Sequence, residues 1–388
     1  MWFFNNPKII FGEDSLAWLG QLKGKRAFIV TDQIMVGLGF VSKVQEQLTT
    51  AGLETQFFAE VEPDPTTEMV LRCAAAMQAF MPDWVIGLGG GSSLDAAKAA
   101  WFVYERPDVP LDAINPIEEF GLGKKARLIT IPTTSGSGAE VTAAAVITNP
   151  ENHTKMELGS FELVPYAAII DPVFTLHMPA QLTADTGVDV LTHAVEGYSC
   201  TWANDFSDGL CLMAAEMVFD YLPRAVKNGA NDPEARMKMA YAATIAAMGM
   251  GSSHIALAHA LGHSAGSLLH LPHGRVTGLA LPYTIEYSAA AGCGRFIGLA
   301  NRLGLPAENE QTAGYGLAKK IRTLLEDIHQ PLSLQQAGIS AEAFKANHGF
   351  LCDSAQEDSA MVTARRIPTR PEFERLFEYL FEGKIVDF

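Results

Sequence analysis

Histidine and aspartate side chains are spaced along this chain as metal ligands commonly are. Asp189 and His193 stand at positions i and i+4, so they share one face if that segment is helical. His259 and His263 repeat the spacing, and His273 follows them. A lone histidine on an apolar helix is usually a hydrogen-bonded core residue, but five of the chain's 10 histidines lie between His254 and His273. The spacing therefore favours a metal site over a set of structural histidines.

One carboxylate and three imidazoles suit a borderline divalent cation such as Fe²⁺ or Zn²⁺. Calcium or magnesium would require more oxygen ligands. The 5 cysteines show no CxxC spacing, which argues against a disulfide framework and against a thiolate zinc site. A coordination position left for substrate or water would make the cation a Lewis acid.

Two polar, glycine-containing segments follow predicted strands and could hold phosphate groups. In residues 87–93 (GLGGGSS), Ser92 or Ser93 can cap the next helix, whose free N–H groups attract anions. This segment lacks the third glycine of the dinucleotide fingerprint and the GK[ST] of a Walker loop, so a structural turn and a phosphate cradle both stay open. Residues 131–140 (IPTTSGSGAE) carry four hydroxyls. Two such loops at one end of a parallel sheet could contact one cofactor from two sides.

Asp32 follows the first predicted strand. An acid at this place can accept hydrogen bonds from an adenosine ribose and repel a 2′-phosphate. A helix N-cap or a solvated loop acid explains the position equally well.

The elements that must position these residues change in type along the chain. Predicted strands cover residues 26–31, 55–59, 84–88, 127–131, 144–148 and 167–170, and predicted helices cover residues 40–52, 66–80 and 94–104. This alternation predicts a Rossmann-like, mostly parallel sheet with helices on both faces.

After about residue 179 the strand signals end, and stretches rich in Ala, Leu and Met follow. Predicted helices cover residues 181–199, 207–226, 232–251, 253–269, 312–328 and 371–381. Pro272 and Pro282 are among the expected breaks. The sequence therefore predicts an α/β domain over residues 1–178 and an all-α domain over residues 179–388, with a ligand cleft between them.

Length and charge limit the class of protein. The chain has 388 residues, too many for one ordinary core, and a formal net charge of −16. That charge opposes binding to nucleic acid and to anionic membranes. The first residues lack the pattern of a signal peptide, and the apolar runs are too short to span a membrane. We therefore expect a cytoplasmic protein.

Together the motifs resemble those of the iron-containing (group III) metal-dependent alcohol dehydrogenases. The resemblance includes residues 30–32 (VTD), 89–98 (GGGSSLDAAK), 132–134 (PTT) through Glu140, 189–196 and 259–274. It implies one divalent metal, Fe²⁺ favoured with Zn²⁺ possible. The implied metal ligands are Asp189, His193, His259 and His273. It also implies that His263 lies near the nicotinamide and relays a proton.

The same resemblance implies NAD as the cofactor, selected by Asp32. The residues implied to contact it are Gly89, Gly90, Gly91, Ser92, Asp95, Thr133, Thr134, Ser137 and Lys155. For Asp95, a helix cap and a nicotinamide contact both stay open. For Glu196, an orienting bond to His193 and exposure to solvent both stay open. The family further implies a homodimer or a larger homo-oligomer.

The expected activity is hydride transfer between NAD and small alcohols or their aldehydes. Residues 259–264 (HALGHS) depart from the family's usual HGxAHP, so the resemblance does not identify the substrate. One alternative is a lyase resembling dehydroquinate synthase, which would need several basic residues to hold a sugar phosphate. Arg275 is the main basic residue near the metal motifs. The other alternative is a zinc relative, such as a glycerol dehydrogenase or a maleylacetate reductase.

Overall fold

Short strands of small and β-branched residues build the first part of the molecule. The computed structural model describes residues 4–150 and 154–388. Its strands are β1 (Lys8–Phe11), β2 (Arg26–Val30), β3 (Glu54–Phe58), β4 (Trp84–Gly89), β5 (Arg127–Pro132), β6 (Ala144–Asn149), β7 (Thr154–Gly159) and β8 (Ala167–Ile170). Six of them form a parallel sheet in the order β1-β8-β5-β4-β2-β3, which confirms the predicted sheet. The sequence does not predict β1 or β7.

Helices lie between several of these strands and form most of the described chain after β8. They are α1 (Gln33–Gly37), α2 (Phe40–Thr50), α3 (Thr67–Phe80), α4 (Gly91–Glu105), α5 (Ala180–Ser199), α6 (Asp205–Asn228), α7 (Pro233–Ser252), α8 (Leu257–Leu269), α9 (His273–Ala290), α10 (Ile297–Arg302), α11 (Glu310–Asp327), α12 (Ala341–Glu357) and α13 (Arg370–Glu382). In the described residues, none of these helices combines the length and the apolar character needed to cross a membrane.

The central strands of the parallel sheet are buried on both faces. In β2, Ala27 and Ile29 pack into one apolar cluster with α2, while Phe28 and Val30 pack into another with α3 and α4. Neighbouring residues of a strand point to opposite faces, so the two clusters lie on the two sides of the sheet. The predicted cover of helices on both faces is confirmed, and it satisfies the need of a parallel sheet to be buried on both sides.

A buried lysine fastens a second, two-stranded sheet to α4. β6 and β7 pair antiparallel. Lys98, on α4, donates from Nζ to the carbonyl oxygens of Thr142 at 2.7 Å and Ala144 at 2.8 Å, just before and at the start of β6. Burial lowers the pKa of Lys98 to about 8, against the opposing effect of Asp95 and Glu140. The hairpin is therefore held in place by a charged group with no exposed surface.

The chain divides into two compact units. One contains Asn5–Thr134 and Gly138–His177, and the other contains Phe4, Ser135–Ser137 and Met178–Phe388. The second unit is helical, and its core is formed largely by α5 to α9 and α11 to α13.

The expected break at Pro282 is wrong. This proline lies inside α9, and Pro272 occupies the N-cap position immediately before that helix. Because proline is well tolerated next to a helix start, Pro272 begins a helix here rather than ending one. The consequence is an additional helix, α9, whose first residue is His273.

Candidate metal centre and dinucleotide loops

Four side chains that are far apart in the chain meet around one carboxylate oxygen. The Nε2 atoms of His193 and His259 each lie 3.9 Å from Oδ1 of Asp189, and Nε2 of His273 lies 3.5 Å from it. Candidate ligand atoms of Asp189, His193 and His259 all lie within 4.8 Å of one another, and these three residues are buried. The structure therefore brings together the four residues that the sequence singled out as metal ligands.

Three helices supply this cluster. Asp189 and His193 lie one turn apart on α5, His259 lies in the first turn of α8, and His273 begins α9. Thr277, one turn further along α9, donates its hydroxyl to Oδ1 of Asp189 at 3.1 Å. The i and i+4 spacing thus places the acid and the first histidine on one face, as helical geometry requires.

Gly274 allows α9 to approach α5 closely. A Cβ atom at this position would lie 2.3 Å from the carbonyl oxygen of Asp185 and 3.0 Å from Cβ of Asp189. Arg275 stabilises this contact between α5 and α9, because its Nε and Nη2 each donate to the Asp185 carboxylate at 3.0 Å. His273 reaches the cluster because its helix begins at this close contact.

The protonation states of Asp189 and His259 favour the binding of a cation. Burial alone would raise the pKa of Asp189, but the imidazoles of His193, His273 and His259 and the Thr277 hydroxyl outweigh it and hold that pKa at about 2. Burial also lowers the pKa of His259 well below its usual value. At neutral pH the acid is therefore ionised and His259 is neutral, which are the forms that bind metal.

A buried nitrogen without a partner points to the same conclusion. Among the described residues, Nε2 of His259 has no hydrogen-bond partner, although it is buried beside the Asp189 carboxylate. Two acceptor atoms facing each other away from water are costly unless a cation or a proton lies between them. One carboxylate and three imidazoles therefore fit a divalent transition-metal ion or zinc.

Glu196 orients His259, not His193 as the sequence suggested. Its carboxylate accepts from Nδ1 of His259 at 2.5 Å and from the N–H groups of Ala256 at 2.9 Å and Ala258 at 2.5 Å. Burial raises the pKa of Glu196 to about 7, although the N–H groups of Ala256 and Ala258 and the charge of His193 oppose the shift. The alternative of a solvent-facing Glu196 is also wrong, since the residue is buried. The bond fixes the His259 ring with Nε2 towards Asp189.

His263 forms a dyad with Asp358, a residue that sequence reasoning missed. Nδ1 of His263 lies 2.8 Å from Oδ2 of Asp358, whose other oxygen caps the turn that begins at Ser359. The ring of His263 stacks on His273 with 5.3 Å between centroids. Burial would raise the pKa of Asp358, but the hydrogen bond and the charge of His263, with the N–H of Ala360 and the charge of His259, together outweigh it and lower that pKa. The ionised acid therefore holds the proton of the His263 ring at Nδ1.

The two polar loops lie side by side at the carboxyl edge of the parallel sheet. β4 and β5 are neighbours, and the N–H of Thr133 donates to the carbonyl of Gly89 at 3.0 Å. A Cβ atom at Gly90 would lie 3.4 Å from the Thr134 side chain. The first hydrogen bond of α4 joins Leu94 to Gly90, so the N–H groups of residues 91–93 stay outside the helical ladder. Such a helix start attracts anions.

Neither serine of the first loop caps α4. The N-cap is Gly90, and it makes no side-chain cap bond. Ser93 instead donates its hydroxyl to Oδ2 of Asp32 at 3.0 Å. The expectation that Ser92 or Ser93 caps this helix is therefore wrong.

Asp32 is the N-cap of α1. Its Oδ1 accepts from the N–H groups of Ile34 at 2.9 Å and Met35 at 3.0 Å. The structure thus bears out the helix-cap interpretation. A ribose contact is compatible with it and stays a prediction, because the carboxylate lies beside the Gly89 loop.

Two further residues assigned to the cofactor make other contacts in this structure, and a third belongs to the helical unit. Asp95 does not cap α4: its Oδ2 accepts from the N–H of Val146, on β6, at 3.1 Å. Burial raises the pKa of Asp95 to about 6. Lys155 pairs with Asp64 at 2.9 Å on an exposed surface. Ser137 belongs to the segment Ser135–Ser137, which groups with the helical unit.

Both halves of the chain match sequence profiles of one protein family. Residues 6–172 match the sequence profile of iron-containing alcohol dehydrogenase, and residues 183–381 match that of the Fe-containing alcohol dehydrogenase family, C-terminal part. The chain is 36% identical over 388 residues to the NADPH-dependent butanol dehydrogenase of Clostridium saccharobutylicum, covering 99% of each protein. It also matches aldehyde-alcohol dehydrogenases and spans about half of their length.

Solved structures share the fold. The alcohol dehydrogenase from Oenococcus oeni has a TM-score of 0.92 and 29% identity, covering 98% of this chain and 100% of that one. The sulfoacetaldehyde reductase from Bifidobacterium kashiwanohense, in complex with NAD⁺, has a TM-score of 0.88 and 27% identity, covering 98% of each chain. None of these similarities favours the lyase, the glycerol dehydrogenase or the maleylacetate reductase.

Proposed function

This chain belongs to the family of iron-containing alcohol dehydrogenases, and we propose that it interconverts small alcohols and their aldehydes with NAD and one divalent cation. It is a metal-dependent alcohol dehydrogenase, and the choice of metal, cofactor and residues is our proposal. The main support for this proposal is that three imidazoles lie close to the Asp189 carboxylate. One of them, His259, has a buried Nε2 without a hydrogen-bond partner among the described residues.

Asp189, His193, His259 and His273 would hold the cation, and Fe²⁺ is the ion after which the family is named. When bound, the cation supplies Lewis-acid polarisation of the substrate oxygen, and NAD supplies the hydride acceptor. Glu196 keeps the ring proton of His259 on Nδ1, so that Nε2 carries the lone pair. Gly274 and the Arg275–Asp185 pair hold His273 at the cluster.

His263 would take up the hydroxyl proton of the alcohol. Its Nδ1 is held by Asp358, which leaves Nε2 as the atom that accepts and releases a proton. The ring stacks on His273, one of the proposed ligands, so it would lie near a substrate oxygen bound at the cation. Asp358 thus acts as a positioning residue for His263.

The dinucleotide would bind at the carboxyl edge of the parallel sheet. The start of α4, with Gly89, Gly90, Gly91 and Ser92, would hold the pyrophosphate, and Thr133 and Thr134 would support it from the neighbouring loop. The Asp32 carboxylate supports NAD over NADP, although the butanol dehydrogenase relative is named as NADPH-dependent. Asp95, Ser137 and Lys155 complete the proposed set of contacts.

The substrate we propose is small and weakly charged. Arg275 is the main basic residue near the metal motifs, and both of its bonded nitrogens engage Asp185. Its charge is therefore compensated and does not offer a phosphate site. Assembly as a homodimer or larger homo-oligomer, and a cytoplasmic location, are part of this proposal and rest on the family and on the sequence.

Metal analysis joined to kinetics tests the proposed function. The protein is purified without oxygen, its metal content is measured, and NADH formation is followed with a panel of small alcohols and diols. We expect about one divalent ion per chain and NADH formation, with both lost in His259→Ala. His254→Ala is the matched control, since that histidine contacts Trp202 outside the cluster and should keep metal and activity. An active His259→Ala enzyme without metal would refute the metal assignment.

A further inference from the structure

Both oxygens of the Asp32 carboxylate are engaged. Oδ1 accepts two backbone N–H groups at the start of α1, and Oδ2 accepts the Ser93 hydroxyl at 3.0 Å. Ser93 is 2% exposed and lies in the first turn of α4. The bond therefore joins the end of β2 to the element that follows β4, the strand beside it. Asp32 has a fixed orientation because two separate elements hold its two oxygens.

Gly89 makes this bond possible. Its φ is +147°, and a Cβ atom there would lie 2.5 Å from both Cβ and Oγ of Ser93 and 3.3 Å from Oδ2 of Asp32. Any larger residue would displace Ser93 from its position. A glycine that the sequence suggests for phosphate approach thus also brings Ser93 to the acid.

The number of acceptor positions determines what Asp32 can still bind. A carboxylate offers about four of them, and the three bonds above leave about one, on Oδ2. A ribose hydroxyl can donate to it. A 2′-phosphate is mostly unprotonated at neutral pH, and it would bring negative charge against a carboxylate that cannot turn away without losing a bond. Within the described residues none of the ion pairs includes Asp32, so no bonded side-chain cation reduces this repulsion.

We propose that Ser93 is a positioning residue that determines cofactor specificity: it holds the Asp32 carboxylate in the orientation that accepts NAD and excludes NADP. The inference rests on the proposed role of Asp32 in binding NAD. It adds that the charge of Asp32 is not sufficient, because a carboxylate held only through Oδ1, by the two N–H groups of α1, could swing Oδ2 away from a 2′-phosphate. Ser93 need not touch the cofactor for this effect.

A double-mutant cycle tests the proposal through measurements of cofactor binding, without any assay of turnover. Isothermal titration calorimetry on the metal-loaded enzyme, without alcohol, gives Kd for NAD⁺ and NADP⁺ and hence the ratio of the two. The proteins are the wild type, Ser93→Ala, Asp32→Asn and the double variant. Asp32→Asn keeps an oxygen to cap α1 but removes the charge. We expect Ser93→Ala to lower the preference for NAD⁺ by about tenfold, and by less than about twofold in the Asp32→Asn background.

The outcomes separate this inference from the proposed function. If Asp32→Asn removes the preference and Ser93→Ala leaves it unchanged, Asp32 selects NAD without Ser93 and the inference is overturned. Equal effects of Ser93→Ala in both backgrounds would indicate a general structural role and overturn it too. If the wild type shows no preference for NAD⁺, or if Asp32→Asn does not change the ratio, the proposed role of Asp32 fails and the inference fails with it.

Discussion

The metal centre and the dinucleotide loops are built from different chemical groups. The metal centre consists of side chains from α5, α8 and α9, which are held by further side chains such as Glu196 and Thr277. The dinucleotide loops offer mainly backbone N–H groups at the start of α4 and glycines that keep side chains away. The first region therefore depends on which residues are present, and the second depends more on the path of the backbone.

This difference predicts where single substitutions matter most. A metal ligand that moves by a fraction of an ångström loses its bond, because coordination distances vary little. Backbone donors at a helix start act together and tolerate changes of side chain. We expect substitutions around the metal centre to have larger and more specific effects than those around the loops.

Gly274→Ala should have the largest effect. The added Cβ would force α9 away from α5 at the residue beside His273, at a cost of about 1–3 kcal/mol in stability. We expect metal affinity to fall at least about tenfold, as for other groups that position a metal ligand. Metal titration and thermal unfolding measure the two effects, while NAD⁺ affinity should stay unchanged.

Gly316→Ala is the matched control for this substitution. It also lies in a helix, α11, but its added Cβ meets no atom within 4 Å. Alanine should therefore stabilise that helix by up to about 1 kcal/mol and leave the metal in place. Equal metal affinity in the wild type and Gly274→Ala would mean that the close contact of α5 and α9 does not position His273.

Asp358→Asn should have a smaller effect, on turnover alone. Asparagine can donate to Nδ1 of His263 and so favour the tautomer with the proton on Nε2, which then cannot accept one. We expect kcat to fall about tenfold to hundredfold, with metal content and NAD⁺ affinity unchanged. Exposed Glu357→Gln is the control, and it should be neutral. Loss of metal in Asp358→Asn would instead place this acid among the groups that support the cation.

Lys98→Met should have the narrowest effect, on stability alone, because Lys98 lies in the other unit. The folded-state pKa of Lys98 is about 8, below the ordinary value of 10.5. Since the unfolded chain binds the proton more tightly, wild-type stability rises relative to the variant as pH increases from 8 to 10.5. We expect a change of about 2–3 kcal/mol over this range, because each tenfold difference in proton affinity between the folded and unfolded states is worth about 1.4 kcal/mol. Urea unfolding at several pH values measures it.

The control for this pH dependence is Lys43→Met, at an exposed position of α2. Its stability relative to the wild type should not follow the same slope, and metal content should be unchanged in both variants. A flat difference between wild type and Lys98→Met from pH 8 to 10.5 would show that burial does not lower the pKa of Lys98.

The sequence predicted elements well where the local pattern was strong. The strand at residues 167–170 and the helix around Asp189 lie where periodicity placed them, and the helix around His259 begins at Leu257, four residues later than predicted. α9 was missed because Pro272 and Pro282 suggested breaks, although one precedes the helix and the other lies within it. β7 was missed because its partner β6 stabilises it, and the local sequence does not record that pairing.

In the candidate site, the side chains of the metal cluster could be predicted and their supports could not. The spacing of Asp189 and His193 is local to α5, and that of His259 and His263 is local to α8. The bonds from Glu196 to His259 and from Asp358 to His263 join residues far apart in the chain. The sequence can suggest that Asp358 caps the turn that begins at Ser359, but nothing in it indicates that Asp358 also bonds to His263. Tertiary packing alone determines these contacts.

Anomalous diffraction from crystals of protein prepared without oxygen with Fe²⁺ tests the central claim most directly. We predict one strong peak per chain, with Oδ1 of Asp189 and Nε2 of His193, His259 and His273 at about 2.0–2.2 Å from it, the range found for such ligands on zinc. A peak elsewhere, or a fully loaded enzyme in which these four atoms do not surround the ion, would contradict the account.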